Sequence, residues 1–186
     1  MTPPKITTQV TQRKRPMVER PRAIILMGVS GVGKTTTAQR LAKELGWEFR
    51  DGDSFHPPEN VEKMSRGVPL NDEDRAPWLA SISEWIGANL RKDVHVIVTC
   101  SALKRRYRTV LVGGRTDVRI VHLHAEKSLI ADRMGRRKGH FMPPALLDSQ
   151  FAALEAPEHD ERVVSINVAM PPQRCVERIL QVLNLR

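Results

Sequence analysis

Eight residues, Gly28-Val29-Ser30-Gly31-Val32-Gly33-Lys34-Thr35, carry the spacing G-x-x-x-x-G-K-[ST], the pattern of a loop that wraps a chain of phosphates. Glycines in such a loop let the backbone turn its N–H groups inward, and the positive end of the following helix adds attraction for the anion. Lys34 is of the type that reaches the β- and γ-phosphates, and Thr35 of the type that ligates Mg²⁺. Gly28, Ser30, Gly31, Val32, Gly33, Lys34, Thr35 and Thr36 are therefore the expected nucleotide contacts. A glycine turn that only starts a helix would use some of these residues. It would not require all the fixed positions between a strand and a helix.

A second group of chemical residues is Asp51-Gly52-Asp53, sixteen residues or so beyond the loop. Two carboxylates at a strand end suit two tasks in phosphoryl transfer: holding Mg²⁺ or its water shell, and accepting the proton of an attacking hydroxyl. Asp51 is assigned to the metal and Asp53 to the hydroxyl, on the expectation that their strand lies beside the phosphate loop. A D-G pair is also an ordinary turn signal, and only its company with the loop makes it chemical. A third group, Arg133, Arg136, Arg137, Lys138 and His140, surrounds Gly135 and Gly139. It reads as a basic, hinge-capable segment able to bring cations over the charge that develops on the γ-oxygens. An exposed basic helix end would look similar.

The elements that must position these groups follow from hydrophobic patterning. Apolar, β-branched runs predict strands over 23–27, 47–50, 94–99, 118–123 and 162–166. Helical stretches are expected over 34–45, 76–90, 104–111, 126–136, 144–154 and 172–183. This alternation specifies an α/β fold of the P-loop type, a parallel sheet covered by helices on both faces, with ligands at the carboxyl ends of the strands. Trp78 and Trp85 share a helix face and are read as core. Asn71 and Asp72 are read first as helix caps.

Composition narrows the class. The 186 residues are 40% hydrophobic and 27% charged, enough for one domain with a sizeable core. No apolar run approaches a bilayer span and no secretory core is present, so a soluble cytoplasmic protein without membrane contact is expected. Cys100 and Cys175 are too few for a disulfide framework and lie in no zinc-like cluster. Of the net charge of +9, much sits in residues 1–22, where six basic side chains face Glu19 alone. Residues 1–21 are read as a disordered basic leader and 22–186 as the kinase domain. No nucleic-acid role follows from that leader. A GTP-dependent switch would need N-K-x-D, which does not occur.

The blocks MGVSGVGKTTTA, DGDSFHPPENVEKMSRGVPLNDEDRAPWL, TCSALKRRYR and RKGHFMPPALLDSQFAALE resemble those of the short gluconokinases, over most of the chain from residue 24 to 155. The middle two make the resemblance specific, because other small kinases share the loop without them. It implies transfer from ATP to the 6-hydroxyl of D-gluconate, a fold of the adenylate or shikimate kinase type, and commonly a homodimer. It also implies that the segment around Arg133 and Arg137 closes over ATP, and the choice of ATP rests on it. A sugar acid needs a cation for its carboxylate and polar groups for its hydroxyls. Arg75, Lys104, Arg105, Tyr107 and Arg108 are candidates for that task, with His56 and His140 as donors to substrate oxygens. An ion pair for Arg75 and a solvated helix face for Arg105, Arg106 and Arg108 are the competing assignments. One departure stands out: the third expected strand ends Thr99-Cys100-Ser101, without the acid that often holds Mg²⁺ there. Asp51 is asked to fill that role. Another small-molecule kinase of this fold, acting on shikimate or a nucleoside monophosphate, is the nearest alternative.

Overall fold

A computed structural model of the chain describes residues 20–136 and 144–186. Five strands, β1 (Ala23–Met27), β2 (Glu48–Arg50), β3 (Val96–Thr99), β4 (Val118–His124) and β5 (Val163–Asn167), form one sheet in the order β2-β3-β1-β4-β5. Every pairing is parallel. Among the described residues seven α-helices connect and cover it: α1 (Lys34–Leu45), α2 (Pro58–Ser65), α3 (Asp72–Arg91), α4 (Arg105–Val112), α5 (Lys127–Gly135), α6 (Pro144–Ala153) and α7 (Pro172–Val182).

All five residues of β1 are buried, and the period-2 pleat explains why an unbroken apolar run is needed there. Ile24 and Leu26 point to a core shared with Leu41 of α1 and Ile179 of α7. Ala23, Ile25 and Met27 point to the other face, against Ile82 and Ile86 of α3 and Leu111 of α4. The central strand thus fixes two helical layers, and the loop that follows it emerges at the sheet's carboxyl edge.

Three expectations need correcting. The strand before Asp51 does not lie beside the one that feeds the phosphate loop: β2 pairs with β3, which separates it from β1. Helix α3 begins at Asp72 rather than Ala76, because Asn71 and Asp74 form a reciprocal capping box that starts the helix ahead of Pro77. Helix α2 was not anticipated at all. Residues 1–19 and 137–143 lie outside the described residues, so Arg137, Lys138, Gly139 and His140 and nearly all of the expected leader do too. Among the described residues no helix is long and apolar enough to cross a membrane.

Candidate active site

The phosphate loop runs from the end of β1 into α1. Its last glycine, Gly33, is the N-cap of that helix and brings no side chain to the first-turn N–H groups, which leaves them for an anion. Lys34 curls back so that Nζ donates to the carbonyls of Gly28 and Val29, each at 3.0 Å. Burial holds its ammonium below the ordinary lysine pKa, while Asp53, Cys100 and Asp51 pull the other way. This cation is therefore aimed at the loop's interior and is within electrostatic reach of both acids that follow β2.

Those acids are built into a tight turn. Oδ2 of Asp51 accepts from Thr35 Oγ1 at 3.0 Å, and Oδ1 accepts from Thr99 Oγ1 at 3.0 Å and from the Asp53 N–H at 3.1 Å. The Gly52 N–H donates to Thr99 Oγ1 at 3.1 Å, and the indole of Trp78 donates to the Gly52 carbonyl at 2.7 Å. Only glycine fits between them, since a Cβ on Gly52 would lie 1.9 Å from the Thr99 carbonyl oxygen. The turn thereby reaches across the end of β3 and brings Asp51 to Thr35 although β2 is an edge strand. Thr99, standing where an acid is often found, orients Asp51 instead of replacing it.

Asp53 is exposed at this turn. His56, which follows it, stacks on Trp78 with ring centroids 4.2 Å apart and planes at 13°. Burial lowers the imidazole pKa, with Asp53 opposing and Arg75 adding to the shift. Trp78 is buried core, as expected, but it also pins the acidic turn and backs His56. Nothing in its seven-residue spacing from Trp85 announces that second task.

The arginines divide sharply. Arg75 is half-buried, and among the described residues its guanidinium makes no hydrogen bond or ion pair. Its acidic neighbours are taken: Asp74 by Lys63 at 2.5 Å, and Asp72 by Lys104, Arg106 and the Tyr107 hydroxyl. Lys104 bonds both oxygens of Asp72, at 3.1 and 3.2 Å. Arg105 spans Glu158 and Asp160. Arg108 needs a plain correction as a substrate cation. Its side chain is 2% exposed, grips both oxygens of Glu161 at 2.6 and 2.9 Å, and donates to the carbonyls of Ala102, Leu103 and Glu155. At Arg108 the competing solvated helix face is likewise replaced, by an internal tie to Glu161, 53 residues away.

Arg133 donates to the Val168 carbonyl at 2.8 Å, at the end of β5, and Arg136 pairs with Asp132. Thr36 is exposed on α1. Gln150 of α6, which the sequence leaves open between support of the site and plain helical surface, bonds the phosphate loop at Ser30. Among the described residues no group of three His, Cys, Asp or Glu side chains could hold a metal by itself. The Thr35 hydroxyl beside the Asp51 carboxylate is a different donor set. It suits a hard cation that keeps most of its waters and shares phosphate oxygens, as Mg²⁺ does.

A parallel sheet whose central strand feeds a phosphate loop, with an acidic turn that reaches that loop at the same edge, defines a P-loop kinase. The comparisons with known proteins agree with the geometry. The family model described as "Shikimate kinase" matches residues 30–183. The gluconokinase of Gluconobacter oxydans (strain 621H) is 46% identical over 172 residues, covering 92% of this chain and 97% of that protein. Among solved structures, a sugar kinase from Janibacter sp. HTCC2649 superposes with TM-score 0.82 at 49% identity, covering 88% and 95% of the two chains. A gluconokinase from Sinorhizobium meliloti 1021 gives 0.81 at 43%, covering 89% and 93%. The chain belongs to the gluconokinases, within the shikimate kinase family of P-loop kinases.

Proposed function

We propose that this chain transfers the γ-phosphoryl group of ATP to the 6-hydroxyl of D-gluconate. The observation that carries the choice of acceptor is Arg75, a half-buried guanidinium without a partner among the described residues, beside the turn that bears Asp53 and His56. A planar cation with free donors in such a place suits a carboxylate held by two parallel hydrogen bonds. Relatives across most of the chain's length carry the same activity in their names.

The residues divide the work as follows. Asp53 accepts the proton of the attacking hydroxyl, and its exposure leaves it open to a substrate. His56, its imidazole held below the ordinary pKa, is neutral at pH 7 and exchanges a hydrogen bond with a substrate hydroxyl. Arg75 takes the carboxylate and so sets which end of the acid faces Asp53. Lys34 leaves the carbonyls of Gly28 and Val29 for the phosphates, and the N–H groups of the loop and of the first turn of α1 hold their oxygens. Thr35 and Asp51 would hold Mg²⁺, which when bound neutralises charge shared between the β- and γ-oxygens. Arg133 and Arg137 supply cations for the transition state, and His140 a further substrate contact; Lys104 stays with Asp72 and steadies the start of α3. We also propose a homodimer working in the cytoplasm, behind a basic leader that takes no part in transfer.

An ADP-release assay with ATP and Mg²⁺ tests the reading across D-gluconate, shikimate, nucleoside monophosphates and no acceptor. Release that depends on gluconate, with a phosphorylated sugar acid seen by mass, is expected. Release with another acceptor alone would keep the kinase and discard gluconate.

A further inference from the structure

The third residue of the phosphate loop is already occupied. The Ser30 N–H donates to Oε1 of Gln150 at 2.7 Å, and Nε2 of Gln150 donates back to Ser30 Oγ at 3.2 Å. Two bonds to one residue fix the orientation of the amide. Gln150 lies 120 positions further along the chain, on α6, which is seated in the core by Leu147 one turn earlier, itself 3% exposed. The next loop residue is covered from the same half of the protein. Gly31 has φ +79°, and a Cβ there would lie 2.4 Å from the Met134 side chain of α5. Residues 30 and 31 therefore meet two side chains, Gln150 and Met134, to which the transfer chemistry above assigns no role.

An amide oxygen 2.7 Å from a loop N–H stands where a phosphoryl oxygen stands in a filled phosphate loop. The lysine indicates which phosphoryl group that is. Nζ of Lys34 rests on the Val29 carbonyl, one residue before Ser30, and a lysine of this loop serves the β- and γ-phosphates. Ser30 thus lies on the side of the loop that the Lys34 ammonium reaches, three residues before the N-cap Gly33.

We propose that Gln150 is a positioning residue that holds Ser30 in the nucleotide-free loop and yields its N–H to the γ-phosphoryl group, so that α6 distinguishes a triphosphate from a diphosphate. This rests on the loop's binding ATP. A triphosphate must displace the amide before it gains the Ser30 N–H, whereas a diphosphate leaves the Gln150–Ser30 pair intact. Transfer removes the γ-phosphoryl group, and Gln150 then returns to Ser30. The discrimination runs in favour of product-like occupancy and sets a cost on triphosphate binding that the residue's removal relieves.

Calorimetric titration of the full chain with Mg²⁺ and either ADP or a non-hydrolysable ATP analogue separates these effects. Gln150→Ala should bind the triphosphate about three- to tenfold more tightly, the effect of one neutral hydrogen bond, with ADP changed less than twofold. Gln150→Glu keeps an acceptor on the Ser30 N–H and sets a negative charge against the incoming phosphate, so triphosphate binding should weaken about tenfold with ADP again little changed. Equal effects on both nucleotides, no effect on either, or a weaker triphosphate in Gln150→Ala would overturn the proposal, since a packing role predicts no difference between ADP and ATP. Should Gln150→Ala not fold, the isosteric glutamate variant alone decides. If the native chain bound neither nucleotide, the assignment of the loop itself would fall, which is a separate result.

Discussion

Two regions of this molecule use the same kind of residue in opposite ways. At the start of α3, Arg75 stands beside the acidic turn without a partner among the described residues, and its field helps lower the pKa of His56. On α4, Arg108 is enclosed and has five oxygen contacts, and its field adds to the burial and the nearby His124 that bring His122 down to about 4. Each arginine has a histidine in its field. One pair stands beside the acidic turn, where the proposed substrate would arrive, and the other ties α4 to the segment that follows α6. Charge alone therefore does not mark a binding residue. What distinguishes the two is whether the fold has already satisfied the donors, because a guanidinium with its hydrogen bonds made has nothing left to give a ligand.

The sharpest break between the regions should come from Asp53 and Arg108. Asp53→Asn should lower kcat about 10²–10⁴-fold, the range for a general base, while ATP affinity and the melting temperature hold. Arg108→Met should do the reverse. It leaves the enclosed Glu161 carboxylate without its counter-charge and with only the Glu158 N–H as donor, which costs about 3–5 kcal/mol of stability, yet turnover per folded molecule should stay near native. Denaturant titration beside steady-state kinetics reads both. Loss of turnover in fully folded Arg108→Met would return Arg108 to the substrate site and erase the distinction.

Much of this division was invisible in the sequence, for reasons that are physical. The phosphate loop, the strand at 23–27 and the helix at 34–45 were legible because each depends on residues next to one another: a fixed glycine spacing, an apolar run, and a helical face ending at Gly46 in the left-handed conformation. Helix α2 was not, since Val61 and Met64 are exposed and only Asn60 is buried, so no apolar face betrays it. The neighbour of β2 was misjudged because sheet order is not a local property. Arg108 carried no mark of its fate, as Glu161 lies 53 residues away, and the contact between Gln150 and Ser30 spans 120. The departure at the end of β3 is legible as a residue type, but that Thr99 donates to Asp51, 48 residues earlier, is not.

Acidification tests the buried region next. A neutral imidazole inside the fold with a pKa of about 4, against an ordinary value of 6.5, binds its proton more readily after unfolding. Stability should therefore be intact above pH 6.5 and decline as pH falls towards 4, by about 3 kcal/mol in total from this group. Glu161 adds to the trend at the acid end, because its hydrogen bonds from Arg108 hold its carboxyl below the ordinary value and are lost on protonation. Melting curves from pH 8 to 4.5 should show the decline, and His122→Leu should flatten its upper part. A slope unchanged by that substitution would mean the titrating group lies elsewhere.

The smallest effect is the one that bears most directly on substrate choice. A charge-assisted hydrogen bond to a carboxylate contributes about 1.5–3 kcal/mol, so Arg75→Ala should raise KM for gluconate by roughly ten- to a hundredfold. Arg75→Lys should recover only part of this, since an ammonium cannot offer two parallel donors. Stability should barely move, because the native guanidinium has no partner among the described residues to lose. A neutral polyol of the same length separates binding of the carboxylate from binding of the hydroxyls: as an acceptor it should be poor with the native chain and no poorer with Arg75→Ala. If the substitution instead lowered the melting temperature and left KM alone, Arg75 would be a second Arg108, and the carboxylate would have to be met by a different cation at this edge of the sheet.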